Sequence, residues 1–232
     1  MTEDLPIHLP PVDPASAAVP TGSLTPELLA GLLADGDDQL AAWTLRHALA
    51  EQSRADVYDG LLTDAMRLVG ERWGSGQWSV AEEHLASRTL LRALELVRPA
   101  AGPEARIGPL AVLAGVQGEH HVIGLVCLEQ VLAEDGWTVA NLGADLPAKD
   151  LGTFVARNDV ALVALTAMDP ARVDALREAV AAVRGARGDR PIPVLVGGQV
   201  TRFPDVIGTV GADAVAHTVR EASDLATKLR PG

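Results

Sequence analysis

The stretch Leu110-Ala111-Val112-Leu113-Ala114-Gly115-Val116-Gln117-Gly118-Glu119-His120-His121-Val122-Ile123-Gly124 decides how this chain folds. Leu110 to Val116 carry no polar side chain, so both faces of the segment need cover, as in a parallel sheet flanked by helices. Gln117-Gly118 then breaks the run, and Val122-Ile123-Gly124 opens a segment with helical periodicity. Between them Glu119-x-His121-x-x-Gly124 sets a carboxylate two residues from an imidazole in a polar loop. A ligating His usually donates its second ring N–H to a carboxylate, which fixes its tautomer and raises its basicity. A strand, this loop and a helix form a place where a metal-bound cofactor can dock.

Downstream, short apolar runs alternate with helical stretches. Strands are predicted at 109–116, 137–142, 160–166, 192–197 and 213–216, with helices at about 121–135, 147–157, 170–186, 202–209 and 218–229. Such alternation implies an α/β fold: a flavodoxin-like, doubly wound, five-stranded parallel sheet of order 2-1-3-4-5, spanning residues 105–232. Ligands then bind where strand order reverses, at the carboxyl ends of strands one and three. The Glu119–His121 loop ends the first strand and Thr166 ends the third.

Upstream, residues 24–100 read as a four-helix bundle. Thr25 caps one helix with Pro26 in its first turn, Asp37 or Asp38 starts a second, and Ser53 or Asp56 a third. Gly70 and Gly74-Ser75-Gly76 are expected to interrupt that third helix. Ser79 and Glu82 form a capping box for the fourth. Residues 1–23 hold five prolines, at 6, 10, 11, 14 and 20, and read as a flexible tail; Pro99 to Pro103 read as a hinge.

Composition excludes several classes. A formal charge of −12 argues against direct nucleic-acid or anionic-membrane binding, which needs clustered Lys and Arg. Cys127 is the single cysteine, so no internal disulfide forms, and it reads as a small core residue. No apolar run approaches a membrane span of about 20 residues, and no signal peptide is visible, so a cytoplasmic location is expected. No nucleophile–base constellation appears, so the chain reads as a sensor or binding protein rather than an enzyme. His47 and His217 read as isolated, and Lys149 as a solvated helix start.

The loop, with its neighbours, resembles the cobalamin-binding domain. The resemblance covers about residues 108–230. It implies that His121 is the metal ligand, reaching cobalt from below, with Glu119 behind it. The cofactor site would include Gln117, Gly118, His120, Val122 and Ile123. Gly124 would leave room for the nucleotide tail, in a slot lined by Leu165, Thr166 and Met168 and by Gly197, Gly198 and Gln199. Gly211-Ala212-Asp213 also matches the family's run into the fifth strand. The family pattern more often has Asp for Glu119 and Ser for Thr166; both exchanges keep the functional oxygen. His120 is expected to face solvent.

A second pattern lies in the bundle: Trp73, nine intervening residues, then Glu83-His84. It resembles the helical cap of light-responsive, adenosylcobalamin-dependent repressors related to the MerR class. Glu83 begins a helical stripe through Ser87, Leu90, Leu94 and Val97. The resemblance implies that Trp73 packs on the upper ligand and that Glu83 and His84 contact the adenosyl group; Trp78 is a further candidate. It also implies photolysis of a cobalt–carbon bond, with output through a protein partner or a homo-oligomer. Where such repressors can carry His after the Trp, this chain has Gly74. Either His84 moves, water takes the vacated position, or the light signal differs. Gly74 and Gly76 could instead leave room for a bilin such as biliverdin, as in photocobilins. The alternatives are a corrinoid methyl-carrier subunit of a methyltransferase system and a sensor holding heme in a degenerate pocket.

Overall fold

A computed structural model of the protein describes residues 24–99, 108–186 and 191–230. The Pro-rich segment 1–23 and most of the Pro99–Pro103 hinge lie outside the described residues.

The bundle begins with α1 (Pro26–Ala34), whose first turn is capped by Thr25 Oγ1 accepting from Leu28 N at 3.2 Å. Asp37 caps α2 (Asp38–Glu51), accepting from Leu40 N at 2.9 Å. Ser53 caps a long rod made of α3 (Arg54–Val57), a π-turn (Tyr58–Leu62) and α4 (Thr63–Gly74). The Ser79–Glu82 capping box starts α5 (Val80–Leu96). The expected break at Gly70 does not occur. A helix-interior glycine costs only about 1 kcal/mol relative to Ala, which packing along the rod outweighs. The rod stops at Ser75-Gly76, where Gly76 adopts φ +75°. Leu29, Leu33, Leu45, Leu90 and Leu94 are fully buried at the bundle centre.

The second half alternates strand and helix: β1 (Leu110–Gly115), α6 (Ile123–Glu134), β2 (Thr138–Asn141), α7 (Ala148–Arg157) and β3 (Val160–Thr166). It continues with α8 (Val173–Ala186), β4 (Val194–Gly197), the short α9 (Pro204–Ile207), β5 (Ala214–Val215) and α10 (Val219–Lys228). All strands pair in parallel in the order β2-β1-β3-β4-β5, as expected. One apolar layer joins the sheet to α7 and α8 through Leu151, Val155, Leu176 and Val180. The other joins it to α6 and α10 through Leu125, Leu132 and Ala226. The strand register sets Gly115 beside Thr166 and Thr166 beside Gly197. The carboxyl ends of β1, β3 and β4 therefore form one row.

The bundle packs on the α6–α10 side of the sheet. Cys127 and Val131 of α6 are buried in the bundle's own core, and Ile123, Val126 and Val219 pack against it. A polar network crosses this contact. Arg54 Nη1 donates to the Tyr58 hydroxyl (2.8 Å), Gln130 Oε1 (3.0 Å) and Val97 O (3.2 Å). Its Nε pairs with Glu134 at 2.7 Å. A buried charge is tolerated only when its donors are met in this way.

Candidate functional site

The row formed by Gly115, Thr166 and Gly197 sits below the loop that follows β1. Glu119 N donates to Val116 O at 2.8 Å, so the chain doubles back directly after the strand. Glu119 is buried, its side chain only 4% exposed. One oxygen, Oε1, accepts from His121 N at 2.8 Å and from His121 Nδ1 at 2.5 Å. The other, Oε2, accepts from Met168 N at 2.7 Å, which ties the loop to the segment after β3. Burial pushes the Glu119 carboxyl up, but the hydrogen bonds from the His121 amide and ring and from the Met168 amide outweigh it. The carboxyl is held below its usual range and is therefore ionised near neutrality.

An ionised carboxylate only accepts, so the ring hydrogen belongs on Nδ1 and the Nε2 lone pair faces outward. The His121 side chain is 71% exposed. Its ring is exposed at the carboxyl end of the sheet, braced by Glu119. Among the described residues no group of three or more His, Cys, Asp or Glu can hold a metal ion. A single braced imidazole is too little for a bare cation. It suits a metal whose other positions are already filled, and a corrin ring supplies four nitrogens.

The remaining loop and slot residues divide. Gln117, His120 and Gln199 are exposed, His120 as expected. Gly124 has open space where a Cβ would project, and Gly197 has only Ala216 O, at 3.7 Å. Both are compatible with a guest passing beside the sheet. Gly198 is glycine for a backbone reason: at φ +90°, a Cβ would lie 2.2 Å from Ala167 O and 2.7 Å from Thr166 Oγ1. Leu165 is buried in the apolar layer under α8, so its side chain belongs to the core. Half-buried Ile123 packs against the bundle; Val122, Thr166 and Met168 are also half-buried.

A second carboxylate–imidazole pair lies at the start of α5. Glu83 Oε2 accepts from His84 Nδ1 at 2.6 Å, and Ser87 Oγ donates to Glu83 Oε1 at 2.8 Å. His84 is 72% exposed, with Nε2 free. Trp73, in the last turn of α4, has 51% of its surface in solvent, so it is not a core residue. Trp78 is the core residue of the two: it packs against the bundle interior under the Arg72 guanidinium, 4.8 Å from its ring centroid. Gly74 and Gly76 both border open space, and the positive φ of Gly76 by itself accounts for a glycine there. His47 stacks on Trp43 at 3.7 Å, and His217 Nδ1 lies 2.9 Å from Thr201 Oγ1.

Sequence reasoning missed Asp145. It stands in the Gly143–Pro147 stretch and holds the His121 loop through its side chain and its backbone. An Asp in the short turn between β2 and α7, two residues before Pro, was the available signal, since Asp tolerates left-handed backbone.

Fold and site together define a corrinoid-binding protein. Residues 27–98 match one B12 binding domain model and residues 109–226 match a second. The latter covers just over half of the chain, which belongs to the B12-binding domain family. The chain is 38% identical over 145 residues to the HTH-type transcriptional repressor CarA of Myxococcus xanthus, covering 62% of this chain and 47% of that protein. It is 33% identical over 159 residues to the repressor CarH of the same organism, covering 68% and 52%. The chain thus spans about half the length of these curated relatives. Its fold is shared with the Methanosarcina barkeri monomethylamine corrinoid protein, at TM-score 0.72 and 18% identity, over 87% of this chain and 96% of that one. Among the described residues no helix is long and apolar enough to cross a membrane.

Proposed function

We propose that the protein is a light sensor that holds adenosylcobalamin between the His121 loop and the helical cap. The reading is carried by the exposed Trp73 together with the braced Glu83–His84 pair, on a chain similar to two transcriptional repressors. Adenosylcobalamin would supply a cobalt–carbon bond that light breaks. His121 offers Nε2 from the sheet side, and Glu119 keeps that lone pair aimed outward. Trp73 offers an apolar roof over the upper ligand, and Glu83 and His84 offer polar contacts beside it.

Trp73 would pack on the upper ligand when the group is bound, and loss of that ligand would remove the contact. The cap then shifts on the sheet domain only to the extent that the two ligand states differ in affinity for the two arrangements. In this reading output passes through a protein partner or through self-association, because a formal charge of −12 disfavours direct nucleic-acid contact by these residues.

The test is the absorption spectrum and the hydrodynamic size of the adenosylcobalamin-loaded protein, in the dark and after illumination. Both are expected to change. Identical spectra and sizing profiles would overturn the proposal. Red absorbance after expression with a bilin source would indicate a second chromophore. Methyl transfer to a thiol or folate without a light response would favour the methyl-carrier reading, which the shared fold with the monomethylamine corrinoid protein keeps as the second choice.

A further inference from the structure

Asp145 is the one non-glycine residue with positive φ, +53°, among the described residues. Such a conformation is uncommon outside glycine and persists where surrounding contacts over-determine it. Here the contacts converge on one place. Asp145 Oδ1 accepts from Gly118 N at 2.6 Å. Asp145 N donates to Glu119 O at 2.8 Å. One residue thus grips the 118–119 pair on both sides, directly behind the carboxylate that orients His121.

The grip is anchored. Gly115 N donates to Gly143 O at 2.8 Å and Leu146 N donates to Gly115 O at 3.0 Å, so the segment carrying Asp145 is zipped to the end of β1. Gly118 is hemmed in from another side: at φ +80°, a Cβ there would fall 2.6 Å from the Arg172 guanidinium. Both polar contacts of Asp145 go to the His121 loop, and the residue itself is exposed. Its side chain therefore adds nothing to the apolar core.

We propose that Asp145 is a positioning residue for the axial imidazole: it sets where Glu119 stands, and through Glu119 how firmly His121 coordinates a corrin-held cobalt. This rests on the corrinoid-binding reading with His121 as the ligand. Two substitutions grade the contact and a third controls for the parent reading. Asp145→Asn keeps an acceptor and tolerates the left-handed backbone, but it is neutral. Asp145→Gly keeps the backbone and loses the acceptor. His121→Ala reports on the parent reading.

The probe is cobinamide, a corrinoid without the nucleotide base, reduced to cobalt(II). A nitrogen splitting in its electron paramagnetic resonance spectrum then reports a protein ligand, and affinity is read by absorbance titration. The wild type is expected to show the splitting and His121→Ala to lose it. A hydrogen bond to a charged acceptor is roughly twice as strong as a neutral one. Affinity is therefore expected to fall about threefold in Asp145→Asn and about tenfold in Asp145→Gly, with the nitrogen-coordinated fraction falling in the same order.

A purely structural role would lower melting temperature and leave the splitting intact. Unchanged splitting and affinity in Asp145→Gly overturns the inference. If that variant does not fold, unchanged values in Asp145→Asn do so instead. Splitting that is absent in the wild type or retained in His121→Ala overturns the parent assignment, and this inference with it.

Discussion

The Asp59 carboxylate of the cap accepts the backbone N–H groups of Val219 (2.7 Å) and Arg220 (2.9 Å), the first two residues of α10. One domain thus caps a helix of the other, 160 residues further along the chain. The π-turn presents both Tyr58 and Asp59 to the sheet domain, Tyr58 to Gln130 and Asp59 to α10. Single π-turns inside helices are frequent at functional positions. Any displacement of the cap on the sheet domain would strain these contacts.

Removing this cross-domain cap with Asp59→Ala is expected to cost about 0.5–2 kcal/mol, the range for loss of a helix cap. Denaturant unfolding measures the cost. Hydrogen exchange should quicken at Val219 and Arg220 while the β3 amides stay protected. Unaltered exchange at these amides would show that Thr218 caps α10 sufficiently alone.

Tyr58→Phe is expected to cost about 1 kcal/mol, because Gln130 Oε1 keeps its bond from Arg54. Gln130→Leu leaves Arg54 and Tyr58 both short of an acceptor and is expected to cost about 2–3 kcal/mol. A double-mutant cycle on urea midpoints separates the two terms. Burial pushes the Tyr58 hydroxyl well up, against the opposing pull of Arg54. As this is the single tyrosine, tyrosinate absorption should appear only with alkaline unfolding.

Acid is expected to loosen the cap. Asp56 is held below its usual pKa by hydrogen bonds from Ser53 and Arg220, and Glu95 by a hydrogen bond from Arg98, which also binds Glu129 of α6. A carboxylate lowered on folding stabilises the folded state above its unfolded pKa of about 4, and the contribution fades as pH falls through the lowered value. Small-angle scattering between neutral pH and about pH 3 should show the cap separating before the sheet unfolds. Simultaneous loss of both would contradict this order.

Cys127 lies in the contact between α6 and the cap, and burial pushes its thiol far up. It is expected to resist alkylation and disulfide exchange in the native protein and to react fully in denaturant. A thiol titration under both conditions measures this. Rapid native labelling would mean that the cap opens on the labelling timescale.

Gly198→Ala is expected to lose roughly 2–4 kcal/mol, since the new methyl meets the Ala167 carbonyl at a φ that alanine resists. Gly124→Ala, facing open space, should leave apoprotein stability within about 1 kcal/mol and weaken corrinoid binding instead. Thermal melts with and without corrinoid separate the two effects.

Local signals were largely legible. The Thr25–Pro26 start, the Asp37 cap and the Ser79–Glu82 box act within a few residues of chain, and all three appear. The strand at Val160–Thr166 falls where its apolar run predicts, because burial on both faces leaves no polar position to blur its ends. The Glu119–His121 contact was readable because it is local: only His120 separates the partners. The π-turn was not, since its i→i+5 bonds leave no mark on hydrophobic spacing. Gly70 misled because propensity is weak against packing along a long rod.

From its residues alone the chain specified a helical cap, a doubly wound sheet and an imidazole with its carboxylate at the end of the first strand. Those depend on periodicity, capping and short loops, which are forces between near neighbours. Only the folded molecule decided that Met168 and Asp145 complete the grip on the His121 loop and that Arg54, Tyr58 and Asp59 fasten the cap. Their partners lie tens to more than a hundred residues away, and such contacts exist only once helices and strands have docked and water has been excluded between them.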